Sequence, residues 1–392
     1  MTNPTKISVI IPDLANQGTT RGYVIAQGLQ RLGYQVTIFG YLYGEQIYPE
    51  PPYSLPITYF HGVNLPKFIT TTLDFIKEID GDILYVIKPQ LSSFGMALIK
   101  AWRNKKPIIL DFDDWEMAQF GGDDWQYQGS LINDLLASNS ELKKPQYPLY
   151  IKWLEKAIEK ANGITVSSKF LEYRYGGTYL PNVKDTDLFD PLKFDHKVAL
   201  CDRDGIKTQL GLSNNRLLMF TGTAKPDQGL EDILIALDSL NEDDLKLVLV
   251  GGNKSQSSYV KTLIEKWGRW IIKVQPQGFD DMPRSIAMSD IIMVTPRATS
   301  TNCAKFPLEL IEGMAMAKPI IATKVGEIPN ILQDTGYLIE PQSSGLIAQQ
   351  IRDIFADYTQ AQNKGNLARE RCVNNYSMSN ITKILEQVIN LV

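Results

Sequence analysis

Short apolar runs rich in β-branched residues alternate along the chain with longer stretches whose apolar positions recur at helical spacing. The first run is Lys6 to Ile11. The polar loop Asp13 to Thr20 follows, then a helical stretch from Tyr23 to Leu32 closed by Gly33, and then Val36-Thr37-Ile38-Phe39. Glycine suits the position past a helix end because it takes the left-handed conformation without a Cβ clash. Strand, loop, helix and strand in this order form a βαβ unit, whose parallel strands are covered on both faces.

The alternation continues through Ile57-Thr58-Tyr59-Phe60, Ile83 to Ile87, Ile108-Ile109-Leu110 and Gly163 to Val166, with helical segments such as Tyr150 to Lys160 between them. From Pro181 to about Gly205 the pattern gives way to a polar stretch containing Asn182 to Asp187 and Pro191, which reads as a linker. It then restarts with Leu217 to Phe220, a helix over Leu230 to Leu240, Leu245 to Val250, a helix over Ser258 to Lys266, Ile271 to Val274, Asp290 to Val294, a helix over Leu308 to Ala317, and Ile320 to Ala322. The repetition is one of architecture, without a repeated sequence. Ile381, Ile384, Leu385, Val388 and Ile389 form one apolar stripe, predicting a closing helix. The expected fold is therefore α/β, with two doubly wound domains. Ligands bind beyond the carboxyl ends of such strands, and two facing sheets would make a cleft.

Composition narrows the class. The chain has 392 residues, enough for two domains, and its 44% hydrophobic and 21% charged residues exclude disordered and fibrous classes. Forty Lys and Arg against 44 Asp and Glu argue against a module that neutralises many nucleic-acid phosphates. Cys201, Cys303 and Cys372 are far apart and odd in number, which suggests reduced thiols rather than a disulfide framework or a paired-cysteine zinc site. The run before Pro12 is too short for a signal segment, and no apolar stretch is long enough to span a bilayer. The expected location is the cytoplasm, with any membrane association peripheral.

Candidate chemistry lies just after the strands. Asn16 to Gly22 leads into a helix and is either an anion-binding turn or a capped one. Asp111-Phe112-Asp113-Asp114-Trp115-Glu116 places four carboxylates in six residues, a repulsive arrangement unless they are solvated, hydrogen-bonded or metal-bound. Its spacing also resembles the Asp-x-Asp metal motif of a different transferase fold. The long segment Gln119 to Pro148 carries Trp125, Tyr127 and Tyr147, with Tyr150 just beyond, for which packing is favoured over acceptor stacking. His61 and His196 neighbour no recognisable nucleophile, so a hydrolytic triad is unsupported. Phe220 to Leu230 reads as strand, glycine turn with Lys225, and helix start. Asn302 to Ala315 opens a helix with Pro307 expected at its first position and with Glu309 and Glu312 one turn apart.

These residues resemble the family-4 retaining glycosyltransferases of the two-domain, Rossmann-like GT-B fold. The resemblance runs through Lys6 to Phe39, Thr165 to Ser168, Leu180 to Phe189, Phe220 to Leu230, and Phe306 to Thr323 continuing to Pro329. It implies an N-terminal acceptor-side domain over 1–195, a nucleotide-sugar-binding domain over 196–378, and a final helix over 379–392 packing back on the first. It further implies transfer of a hexosyl group with retention, without a metal or other cofactor. The donor would be a nucleotide sugar of UDP or GDP type, and the acceptor a glycan, a lipid-linked sugar or a small molecule. Catalysis would fall to Asp113, Asp114 and Lys225. Donor binding would fall to Gly18, Thr19, Gly222, Thr223 and Lys225, and to Lys305, Phe306, Leu308 and Glu312, the last holding the ribose hydroxyls.

The departures from the family pattern are specific. Ala304 stands where the first glutamate of the Glu-x7-Glu motif is expected. Thr223 and Gln228 stand where phosphate-binding cations are common, leaving Lys225 and Lys305 as substitutes. Pro307 replaces a common glycine, and the Asp111 to Asp114 cluster replaces the family's N-domain histidine. Two alternatives follow, a metal-dependent transferase using Asp111 and Asp113, and a transferase-derived binding protein without catalysis.

Overall fold

The structure, a computed structural model, describes residues 4–16, 18–194, 207–208, 210–250, 258–274 and 281–392. The chain divides into two compact units. The first comprises Met1–Asn182, Ala304–Phe306 and Met378–Val392, and the second Val183–Cys303 and Pro307–Ser377. His196, Cys201 and most of the linker expected to end near residue 205 lie outside the described residues.

Among the described residues the first unit holds seven strands: β1 (Lys6–Ile11), β2 (Gln35–Leu42), β3 (Ile57–His61), β4 (Ile83–Ile87), β5 (Ile108–Phe112), β6 (Gly163–Val166) and β7 (Thr178–Tyr179). Their order is β3-β2-β1-β4-β5-β6-β7, every neighbour parallel. The second unit holds β8 (Arg216–Thr221), β9 (Leu245–Val250), β10 (Ile271–Val274), β11 (Ile291–Val294), β12 (Ile320–Thr323) and β13 (Tyr337–Ile339). These run β10-β9-β8-β11-β12-β13, again all parallel. All residues of β4, β5, β11 and β12 are buried, as continuous apolar runs covered on both faces must be. Both sheets are doubly wound, as the alternation predicts. The order reverses between β1 and β4 in one sheet and between β8 and β11 in the other, which marks the two switch points where a ligand crevice forms.

In the first unit the Thr19–Arg31 helix packs on the C-terminal Met378–Ile389 helix. Gly28 allows the approach, since a Cβ there would lie 2.6 Å from Leu385 Cδ1. The apolar stripe of the last helix buries Ile381, Leu385, Val388 and Ile389. Boundaries differ from expectation in places. The first helix starts at Thr19 rather than Tyr23, and the Tyr150 to Lys160 segment splits into a helix, Pro148–Glu155, and a 3-10 turn, Ile158–Lys160. The long segment after Gln119 folds into short helical turns, and its aromatics pack on one another. Trp125 and Tyr127 meet Tyr147 edge-on at 6.1 and 6.5 Å, Tyr147 meets Tyr150 at 6.4 Å, and the Tyr150 hydroxyl donates to the Leu142 carbonyl at 2.6 Å.

Candidate functional site

At the switch point of the first unit, the opening turn of the Thr19–Arg31 helix turns Arg21 inward, fully buried. Its guanidinium donates to both oxygens of Asp111, at 2.8 and 3.0 Å, to the Leu180 and Pro181 carbonyls, at 2.8 and 3.1 Å, and to Asn182 Oδ1, at 2.9 Å. Asp111 Oδ1 also accepts from Thr165 Oγ1 at 2.7 Å, so three bonds inside the unit hold this carboxylate. Arg21 has donors only, so the Asn182 amide must turn its Nδ2 the other way, and that group donates to Asp113 Oδ1 at 2.9 Å. Ser167 Oγ donates to the Asp113 carbonyl at 2.6 Å. Burial, with the charge of Asp114 beside it, pushes the Asp113 carboxyl up to about 6.

Lys88 follows β4 with a φ of +66°, a conformation uncommon for a residue with a Cβ. Its N–H donates to the Asp111 carbonyl at 2.8 Å, and its ammonium lies 2.5 Å from Glu116 Oε1 and 3.4 Å from Asp114 Oδ2. Gln90 Nε2 holds the other Glu116 oxygen at 2.7 Å. Burial opposes the Lys88 charge, but Glu116, Asp114 and Asp113 outweigh it and raise its pKa. A Cβ on Gly18 would lie 3.8 Å from the Lys88 ammonium, so Gly18 and Asp114 are brought together through that lysine. The Gly18 N–H donates to Asn16 Oδ1 at 2.9 Å and the Thr19 N–H to the Asn16 carbonyl at 3.1 Å, and Gly18, the N-cap of the helix, makes no side-chain cap bond. His61 is exposed on an edge strand.

In the second unit β8 ends at Thr221, whose hydroxyl is buried without a partner among the described residues. Gly222 follows with a φ of +111°, which favours glycine, and a Cβ there would lie 2.7 Å from Glu309 Oε1, so that side chain would have to shift. Thr223 and Lys225 are exposed. Gln228 is committed to the loop, donating to Asn302 Oδ1 at 2.9 Å, while Asn302 Nδ2 donates to the Asp227 and Arg297 carbonyls, each at 3.0 Å. Pro307 is the N-cap of the Leu308–Ala315 helix rather than its first residue, and Leu308 opens it. The two glutamates of this helix meet different groups. Glu309 lies against Gly222, and Glu312 is ion-paired to Lys184 at 2.7 Å.

Ala304, Lys305 and Phe306 group with the first unit, where the Ala304 carbonyl accepts from Ser168 Oγ at 2.9 Å, while Lys225 lies in the second. Sequence reasoning passed over Arg21, Lys88 and Lys184 and gave Asn182 no role. Lys88 had a usable signal, because it stands directly after a strand. The others show their importance only through partners distant in sequence. Among the described residues no cluster of three or more His, Cys, Asp or Glu side chains has metal-binding geometry. Burial pushes the Cys372 thiol up to about 12, leaving it an inert core group.

Residues 215–357 match the family model described as Glycosyl transferases group 1. The chain is 29% identical over 195 residues to N-acetyl-alpha-D-glucosaminyl L-malate synthase of Bacillus anthracis, covering 48% of this chain and 49% of that protein. It is 25% identical over 203 residues to spore coat protein SA of Bacillus subtilis, covering 47% and 52%. The chain thus spans about half the length of the curated relatives it matches. Among solved structures, Anabaena HepE in complex with UDP-glucose shares the fold with a TM-score of 0.75 at 15% identity, covering 99% of this chain and 100% of that one. A glycosyltransferase from Rickettsia africae does so with a TM-score of 0.74 at 18% identity, covering 99% of each. The fold is GT-B.

Proposed function

We propose that the chain, whose residues 215–357 match the model of the group 1 glycosyl transferases, transfers a hexosyl group from a nucleotide sugar to an acceptor with retention of anomeric configuration. The observation that carries the reading is the family match itself, which spans both the Gly222 turn after β8 and the Leu308–Ala315 helix. On this reading the second unit binds the donor, with Glu312 accepting hydrogen bonds from the ribose hydroxyls. The HepE structures contain UDP-glucose, UDP and glucose, or UDP, which makes uridine nucleotides the first probes to use.

Departure of the nucleotide leaves negative charge on the diphosphate, and groups that meet this charge more strongly in the transition state accelerate the step. Lys225, exposed and without an ion-pair partner among the described residues, takes that role, with Lys305 second and the Gly222–Thr223 backbone alongside. In the first unit Asp113 or Asp114 binds the transferred sugar or positions the acceptor. The reaction on this account needs no divalent metal. The pairing of Asp111 and Asp113 on a metal is disfavoured by the three hydrogen bonds that Arg21 and Thr165 make to the Asp111 carboxylate.

A second reading, a binding protein descended from a transferase, draws on Ala304 in place of a sugar-binding glutamate. Titration with UDP and GDP separates the donor assignment from a structural role for Glu312. Glu312→Gln is expected to weaken nucleotide binding by about tenfold or more, since a hydrogen bond to a charged group is worth about 1.5–3 kcal/mol. Unaltered affinity would leave Glu312 as part of the helix end alone.

A further inference from the structure

The ion pair between Lys184 and Glu312 belongs to none of the roles assigned above. It is shielded, with the two side chains 11% and 10% exposed, and both residues lie in the second unit. The lysine is held from several sides. Its N–H donates to the Tyr376 carbonyl at 3.4 Å, and its ammonium lies 5.5 Å from the Phe189 ring centre. The segment carrying it is anchored by Arg369, whose guanidinium donates to the Phe189 carbonyl at 2.7 Å, to the Ala315 carbonyl, and to Asp190 Oδ1 at 3.3 Å. One arginine therefore ties the Val183–Asp190 segment to the end of the helix that bears Glu312.

We propose that Lys184 is a positioning residue for nucleotide recognition, holding the Glu312 carboxylate in the rotamer that accepts the ribose hydroxyls. This inference rests on the assignment of Glu312 to the ribose. A carboxylate has about four acceptor sites, so an ammonium on Oε1 leaves capacity for a diol. A glutamate shielded from water and deprived of its cation loses both charge stabilisation and a defined direction. Lys184 acts through Glu312 and touches no substrate.

The test is calorimetric titration of the full chain with UDP, GDP and ADP, followed by the 2′,3′-dideoxy form of whichever binds tightest. Wild type, Glu312→Gln, Lys184→Met, Lys184→Gln and Lys184→Arg are compared, with melting temperatures to confirm folding. Lys184→Met and Lys184→Gln are expected to weaken binding by about tenfold, the loss of one charge-assisted interaction, and Lys184→Arg to restore most of it. Toward the dideoxy nucleotide the variants should match wild type, because the effect travels through the hydroxyls. Undiminished or tighter binding by the neutral variants, with Glu312→Gln still impaired, would overturn the inference while sparing the Glu312 assignment. An equal loss toward the dideoxy nucleotide would also overturn it. Unchanged binding in Glu312→Gln, or no binding of any nucleotide, would remove the assignment and the inference together. If the neutral variants fail to fold, Lys184→Arg decides, since a loss toward both sugars equally contradicts positioning.

Discussion

Asp111 and Asp113 stand two residues apart, and their surroundings give them different tasks. Asp111 is enclosed with Arg21, so Arg21→Met would strand a buried charge. The expected cost is about 3–5 kcal/mol of stability, read as a lower denaturant midpoint. The Asp113 carboxylate accepts from Asn182, and burial with Asp114 beside it pushes it up to about 6. If ionised Asp113 accepts a hydroxyl hydrogen bond, activity falls as pH drops through that value. Asn182→Ala removes a donor that favours the charged form, so the acid midpoint of the kcat profile should move up by about one pH unit. A profile that stays in place would free Asp113 from this role. The carboxylate cluster was legible in the sequence because four acidic residues follow one strand. Lys88 carried a signal in standing directly after β4, but a lysine before Pro89 also reads as a solvated turn residue. Its ion-pair partner Glu116 lies 28 residues away, at the start of a 3-10 turn beyond β5.

At the scale of elements, the strands were read well because buried parallel strands are continuous apolar runs. Helix starts were read less well. The first turn of the Thr19–Arg31 helix carries the buried Arg21, a polar residue that periodicity assigns to a loop. Pro307 illustrates a related error, since proline is accepted both at the first helical position and just before it, and sequence alone does not separate the two. The helix pair joined at Gly28 gives a test independent of chemistry. Gly28→Val places a branched side chain where Leu385 already lies, and overpacking of this kind costs about 1–3 kcal/mol. The melting temperature should fall while nucleotide affinity, a property of the second unit on this account, stays within about twofold of wild type.

For the whole molecule, the two-sheet architecture was visible as one alternation interrupted once and resumed. The roles of the site residues were less visible, because on this account the two units contribute different chemistry and the departures from the resembled pattern, Thr223 and Gln228, fall in the turn proposed to meet the donor phosphates. Lys225→Ala should lower kcat by about a hundredfold with a smaller effect on donor KM, as expected for a cation that acts mainly in the transition state. Turnover within about threefold of wild type in both Lys225→Ala and Lys305→Ala would place leaving-group stabilisation elsewhere. The central claim is retaining, metal-independent transfer from a nucleotide sugar. Its most direct test is proton NMR of the full chain with an α-linked nucleotide sugar and acceptor in excess EDTA. The account predicts nucleoside diphosphate release together with a new α-anomeric signal. A β-anomeric product, or turnover that appears only when manganese is restored, would contradict it.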